Sequence, residues 1–255
     1  MTSNQIAAAL RARIISGEFA YESRLPNVRD LAAEYQTSQQ TAAAAYAALE
    51  GMGMVRVGRG KQGTVVTAGP PASAHLGTFS PPDLTAANAW TPANGQAGTE
   101  ETTSVRQVTA TPVMVEWGVP EGTEVVERTR IRVIDGTPVQ HKITVMPYEL
   151  AAKRPDGFDG VPPMLAPVGA SPVKAPDGVR MSDWLGWDVR GTECSITAEP
   201  MDQAASEALG LPIDVPGFRV LGIARNSQGG VAYATVTTAP LHHRVTLNIT
   251  EEDQT

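Results

Sequence analysis

Between residues 5 and 66 the chain sets apolar-periodic segments between stop signals so closely that few folds can accommodate them. The spacing predicts a first helix over 3–16 that stacks Ile6, Leu10 and Ile14 on one face, with Gly17 ending it. Residues 25–35 start a short second helix. Asn27 is its cap, Asp30 stands where it would close a capping box, and Leu31, Ala32 and Tyr35 form the buried face. Thr37 or Ser38 then caps a third helix, whose core positions Ala42, Ala45, Leu49 and Met52 recur at helical steps until Gly51 and Gly53 end it. Two helices joined by so short a turn have helix-turn-helix geometry. Strands at 55–57 and 64–66 flank a glycine-rich basic loop, Gly58 to Gly63, which reads as a wing. A winged helix-turn-helix is a unit that lies on duplex DNA.

The chemistry expected of this head follows from position. Arg29 opens the second helix, the one that crosses the sugar-phosphate backbone in this motif. The alternative for Arg29 is a surface ion pair with Glu34 or Asp30. Ser38, Gln39, Gln40 and Thr41 occupy the first turn of the third helix, where side chains and backbone N–H groups reach bases and phosphates; Ser38 has a simple cap as its alternative role. Tyr46 is expected in the core. In the wing, Gly60 allows close approach to the backbone while Arg59 and Lys61 supply charge. The loop also matches the dinucleotide fingerprint letter for letter. That fingerprint needs a helix directly after it, and β-branched Thr64, Val65 and Val66 followed by Pro70 and Pro71 forbid one.

The formal net charge of −7 looks wrong for a DNA binder until it is divided. Residues 1–67 hold seven Lys+Arg against five Asp+Glu, a net of +2, and the remainder holds 13 against 22, a net of −9. The expected domains are a head over 1–67, a linker over 68–99 and a second domain over 100–250. Pro70, Pro71, Pro81, Pro82 and Pro92 mark the linker, in which Leu76, Phe79 or Trp90 would dock on a neighbour. Strands are expected at 105–108, 112–117, 124–134, 138–145, 194–199, 218–226 and 231–238, with a turn at Asp135 and Gly136 and one helix over 201–209 ended by Gly210. That content makes an α+β domain.

A single Cys194, the absence of an apolar run long enough to span a bilayer, and an N-terminus unlike a signal peptide point to a cytoplasmic chain with no membrane partner. No metal is expected: neither HExxH nor CxxC occurs, and His242 and His243, read as strand neighbours, point to opposite faces. No cofactor is expected either. An enzyme is disfavoured because no nucleophile with its base and no paired carboxylates stand at a working spacing.

The first third resembles the GntR family of bacterial regulators. The resemblance is carried by Gln5 and Ile6, Ile14 to Gly17, Arg24 to Pro26, Arg29 to Ala32, Ser38 with Thr41, Ala48 to Glu50 and the wing. Residues 105–249 resemble the UTRA ligand-sensing domain of the HutC subfamily, whose fold is that of chorismate lyase. Here the carriers are Arg130 to Pro138, Met146 and Pro147, Thr197 to Pro212 and Gly230 to Arg244. The resemblance implies a homodimeric transcription factor, usually a repressor, that leaves its DNA operator when a small-molecule effector occupies the second domain.

Two departures from the family pattern are informative. Family recognition helices carry Arg after the position of Ser38 and again four residues on, where this chain has Gln39 and Ala43; Gln favours adenine. In the second domain, Lys142 and Ala234 stand where the family often has Glu, while Arg130 and Arg132 remain. Arg130, Arg132 and Lys142, with Ser182 and Trp184 from the loop-rich middle, are therefore the candidate effector residues, and the effector would be anionic. Two other outcomes are open. The arginines are exposed or tied to Glu of the same domain, which favours a constitutive repressor that uses this domain for dimerisation only. Alternatively, Trp184 and Trp187 simply cover a core.

Overall fold

The protein is described from a computed structural model, which covers residues 1–58, 62–68, 73–78, 98–171 and 173–248, with backbone alone for 73–78 and 244–248. The head opens with α1 (Ser3–Ile15), started by a capping box: the Thr2 side chain accepts from Gln5 N, and Gln5 Oε1 accepts from Thr2 N at 2.9 Å. α2 (Val28–Glu34) and α3 (Gln39–Gly51) follow, capped by Asn27 and Ser38. β1 (Val55–Val57) and β2 (Thr64–Val66) pair antiparallel as the stem of the wing, closed by Gly58 N donating to Gly63 O at 2.9 Å. One apolar cluster ties these elements together: Ile6, Leu10 and Ile14 of α1, Leu31 and Ala32 of α2, Ala42, Ala45, Tyr46 and Leu49 of α3, and Val55 and Val66 of the stem. Burying these faces, at roughly 25 cal/mol per Å² of apolar surface, is what holds three short helices that would be marginal alone.

The second domain is a six-stranded antiparallel sheet in the order β4-β5-β6-β9-β8-β7. Its strands are β4 (Gly98–Thr109), β5 (Glu124–Ile134), β6 (Thr137–Pro147), β7 (Gly191–Pro200), β8 (Pro216–Arg225) and β9 (Val231–Pro240). Because side chains alternate across a strand, each residue of one register row shares a face. One face carries Val125, Val145, Ala234 and Val236, covered by Met114, Trp117 and Val119. The opposite face carries Val126, Met146, Ala224 and Tyr233. These are covered by α5 (Tyr148–Ala151), by α6 (Met181–Trp184) and by Met164, Leu185 and Trp187. α7 (Gln203–Leu209) forms a small apolar cluster with Met201, Leu211 and Val215, and Gly210 ends it in the left-handed conformation (φ 66°).

Several expectations are corrected. Residues 112–117 do not form a strand: α4 (Pro112–Glu116) stands there, because Thr111 caps Met114 N and proline at the first helical positions is pre-set for a helix. The proline-rich stretch is not all linker, since β3 (Ser73–Thr78) pairs parallel with β10 (Arg244–Asn248), a partner some 170 residues away in sequence. Leu76 falls in β3, while Phe79 and Trp90 lie outside the described residues. Met52 is exposed at the C-cap of α3 instead of buried. Asp30 closes no capping box; its carboxylate accepts from Asn27 Nδ2 at 2.6 Å, not from the backbone. His242 and His243 lie in a turn, not a strand, with ring centroids 4.3 Å apart.

Candidate functional site

The exposed surface of the head is set by its caps. Ser38 Oγ accepts from Thr41 N at 3.1 Å and lies 2.9 Å from Thr41 Oγ1, so Ser38 is the cap and Thr41 is partly engaged by it. Gln39 and Gln40 are exposed and make no hydrogen bond among the described residues, which leaves both amides free at the start of α3. Arg29 is exposed too, and neither suggested ion pair forms. Glu34 is taken by Arg13 at 2.7 Å, and Asp30 is taken by Asn27. Arg13 also holds Glu18 at 2.6 Å and stacks over the Phe19 ring at 4.7 Å, locking α1 to α2. Tyr46 is buried and donates to Pro26 O, fixing the turn into α2. The wing-tip candidates Arg59, Gly60 and Lys61 lie outside the described residues.

In the sheet, alternation on β5 puts Arg128, Arg130 and Arg132 on one face, and all three are buried. Register places Arg130 opposite Lys142 on β6 and Thr102 on β4, with Arg132 opposite Gln140 and Glu100. Glu100 spans the two expected arginines: Oε1 lies 3.3 Å from Arg130 Nε and Oε2 lies 2.7 Å from Arg132 Nε. With Lys142 where the family often has Glu, the internal counterion is supplied instead by Glu100 of edge strand β4. Burial alone would raise the Glu100 carboxyl, yet Lys142, Arg132 and Arg130 outweigh it and hold it below the ordinary range.

One carboxylate does not balance this face. Arg128 donates to Ala166 O at 2.5 Å and to Thr102 Oγ1 at 2.7 Å, and burial followed by Arg130 brings its pKa down to about 10, so it stays charged at neutral pH. Arg132 Nη1 donates to Gln140 Oε1 at 3.0 Å. On this face Arg128 Nε and Gln140 Nε2 are buried without a partner among the described residues. Lys142 is partly buried, and burial, then Arg132, push its pKa to about 7 against the opposing pull of Glu100.

Comparison with known proteins agrees with both geometries. Residues 2–66 match the family described as bacterial regulatory proteins, gntR family, and residues 93–157 match the UTRA domain. The chain carries a GntR-type head and a UTRA domain. A vitamin B6 salvage pathway transcriptional repressor of Salmonella typhimurium is 39% identical over 69 residues, 27% of this chain and 16% of that one. An uncharacterised HTH-type transcriptional regulator of Streptomyces coelicolor is 31% identical over 177 residues, 65% of this chain and 63% of its own. The chain therefore spans less than two thirds of either curated relative. Among solved structures, PhnF from Mycobacterium smegmatis is 18% identical with a TM-score of 0.51 over 98% of this chain and 100% of that one. A GntR-family transcriptional regulator is also 18% identical, with a TM-score of 0.50 over 98% of each chain. These similarities concern the fold.

Ser182 and Trp184 sit on α6, over the same face of the UTRA sheet as the arginines but toward its apolar end. Ser182 is buried, and Trp184 meets the Phe158 ring edge-on at 5.0 Å, so its ring covers core. The sequence reading missed Arg128, Glu100, Gln140 and Ala166. Arg128 alone had a visible signal, since it continues the alternation of Arg130 and Arg132. The other three are placed by strand register and by a loop.

Proposed function

We propose that the protein is a transcriptional repressor that reads operator DNA with the first turn of α3. The observation that supports this best is the pair of free, exposed amides of Gln39 and Gln40 on a capped helix of a GntR-type head. Arg29, with Arg59 and Lys61 of the wing, supplies phosphate contacts, and two heads in a homodimer meet two half-sites one helical turn apart. Genomic footprinting of the protein tests the reading. Discrete palindromic sites, lost with Arg29→Ala and Lys61→Ala together, are expected, and footprints without a shared sequence overturn it.

The UTRA domain receives a small anion beside Arg128 and Arg130, and its binding shifts the dimer away from operator spacing. The support is the excess of cations over Glu100 and the two unpartnered nitrogens. The clamp of Glu100 on Arg130 and Arg132 favours a second reading, a constitutive repressor in which the UTRA domain only dimerises. Thermal shift with phosphate and carboxylate metabolites separates the two. Stabilisation that Arg130→Gln abolishes supports a sensor.

A further inference from the structure

We propose that Glu50 sets the wing for DNA binding: from the last turn of α3 its carboxylate holds the stem strand β1, so that the reading end of α3 and the cations of the wing engage one duplex together. The inference rests on the DNA-binding reading of the head and adds a positioning residue to it. Glu50 acts through the wing and not on the DNA.

The hydrogen-bond ladder of the stem shows why a side chain is needed there. In an antiparallel pair, residues that exchange ladder bonds alternate with residues whose N–H and C=O point outward. Gly58 N donates to Gly63 O at 2.9 Å, so Arg56 and Val65 form the next bonded pair, while Val57 with Thr64 and Val55 with Val66 face outward. On the β2 side the outward groups meet backbone: Leu25 N donates to Thr64 O, Val66 N to Ser23 O and Glu22 N to Val66 O, each at 2.9 Å. On the β1 side the outward Val57 N–H donates to Glu50 Oε1 at 2.7 Å. Val57 is the last residue of β1, so this bond holds the stem at the end from which the loop departs. The chain turns tightly just beyond, since a Cβ on Gly58 would lie 2.6 Å from Gly63 O.

Charge makes the choice of residue informative. Glu50 is the next-to-last residue of α3, where the partial negative charge of the helix end disfavours a carboxylate, and it stands beside a loop that faces phosphates on the proposed reading. A glutamate there works against DNA affinity unless its acceptor oxygen is used, and Val57 uses it. Gln39 and Glu50 stand at opposite ends of α3, roughly 16 Å apart at about 1.5 Å per residue. That exceeds the major-groove width of about 12 Å, so a stem held at Glu50 delivers the wing to phosphates flanking the groove that Gln39 enters.

The test measures binding of the full chain to a fluorescein-labelled duplex of mixed sequence across a salt series, because phosphate contacts do not depend on sequence. Each such contact contributes about 0.9 to the slope. Glu50→Ala, which releases the wing with Arg59 and Lys61, is therefore expected to flatten the slope by about one to two units and to weaken binding, although a negative charge has been removed. Glu50→Gln keeps an acceptor oxygen and retains the wild-type slope. Lys61→Ala flattens the slope of the wild type and adds nothing in the Glu50→Ala background, whereas Arg29→Ala adds in full, which a generally loosened head would not show. Tighter binding by Glu50→Ala, as charge alone dictates, or full additivity with Lys61→Ala overturns the proposal. Should Glu50→Ala fail to fold, Glu50→Asp decides, because it keeps the charge and withdraws the acceptor by one carbon: a flattened slope supports the proposal and a wild-type slope refutes it. Wild-type protein that does not bind the duplex removes the DNA reading and the proposal with it. Wild-type binding that Arg29→Ala weakens but Glu50→Ala leaves unchanged removes the proposal alone.

Discussion

In the proposed function, single residues divide the work of the head into positioning and reading. Arg29 has no carboxylate partner among the described residues and stands at the start of α2, so its charge is free for a phosphate. Arg29→Ala is expected to weaken binding to every sequence and to flatten the salt dependence by about one unit of slope, measured by fluorescence anisotropy across a salt series. On the proposed reading, Gln39 carries sequence preference instead. A glutamine amide pairs with adenine N6 and N7, while arginine pairs with guanine O6 and N7. Gln39→Arg should therefore move one position of each half-site toward guanine by about 1–3 kcal/mol, read by binding selection on random DNA. An unchanged profile would mean that Gln39 faces away from the groove. Tyr46→Phe supplies a stability control: it strands the Pro26 carbonyl and should cost about 1 kcal/mol in urea unfolding.

At the scale of elements, legibility in the sequence follows the range of the information. The three helices and the wing stem are legible because caps, stops and apolar periods lie within a few residues of what they specify, as with Asn27, Ser38 and Gly53. The β5–β6 hairpin is legible for the same reason, with Asp135 and Gly136 both at positive φ in its turn. β3 and β10 are not: both segments alternate polar and apolar residues, but each is short and gains its place only by pairing with the other, some 170 residues away. The arginine site is half legible: the β5 alternation announces Arg130 and Arg132, but the Glu100 that holds them is 32 residues away from Arg132 and depends on an edge-strand register. Another long-range contact is testable. Gly53, just past α3, has φ +68°, and an added Cβ would lie 2.8 Å from Val215 Cγ1 in the segment after α7. Gly53→Ala is expected to destabilise by about 1–2 kcal/mol through backbone strain alone, with more from the clash. Val215→Ala in the same chain should return only the clash part, so a double-mutant cycle in urea shows positive coupling if the turn after α3 sits on that segment.

For the whole molecule, the junction between head and UTRA domain carries a pH dependence of fixed sign. Leu211, Val215 and Gly210 approach the head at Gly53 and Tyr21, and the turn of His242 and His243 feels Arg11 of α1. His243 is buried, and His242 is partly exposed but has both ring nitrogens enclosed. Burial, aided by Arg11, brings the His242 pKa down to about 4; burial, aided by His242, holds His243 well below the ordinary range. Among the described residues His242 Nδ1 and Nε2 and His243 Nδ1 have no hydrogen-bond partner that would compensate a proton. In the unfolded chain each titrates near about 6.5. Between that value and about 4 the unfolded state binds more protons than the folded state, so stability is full above pH 6.5 and falls as the pH drops toward 4. Each unit of separation is worth about 1.4 kcal/mol. The melting temperature of the wild type should therefore fall more steeply from pH 7.5 to pH 5 than that of a His242→Gln, His243→Gln double variant, over a range that stops short of ordinary carboxylate titration. Parallel profiles would place these imidazoles in water. A steeper wild-type fall, accompanied by earlier proteolysis between head and UTRA domain, would locate the loss at the junction itself.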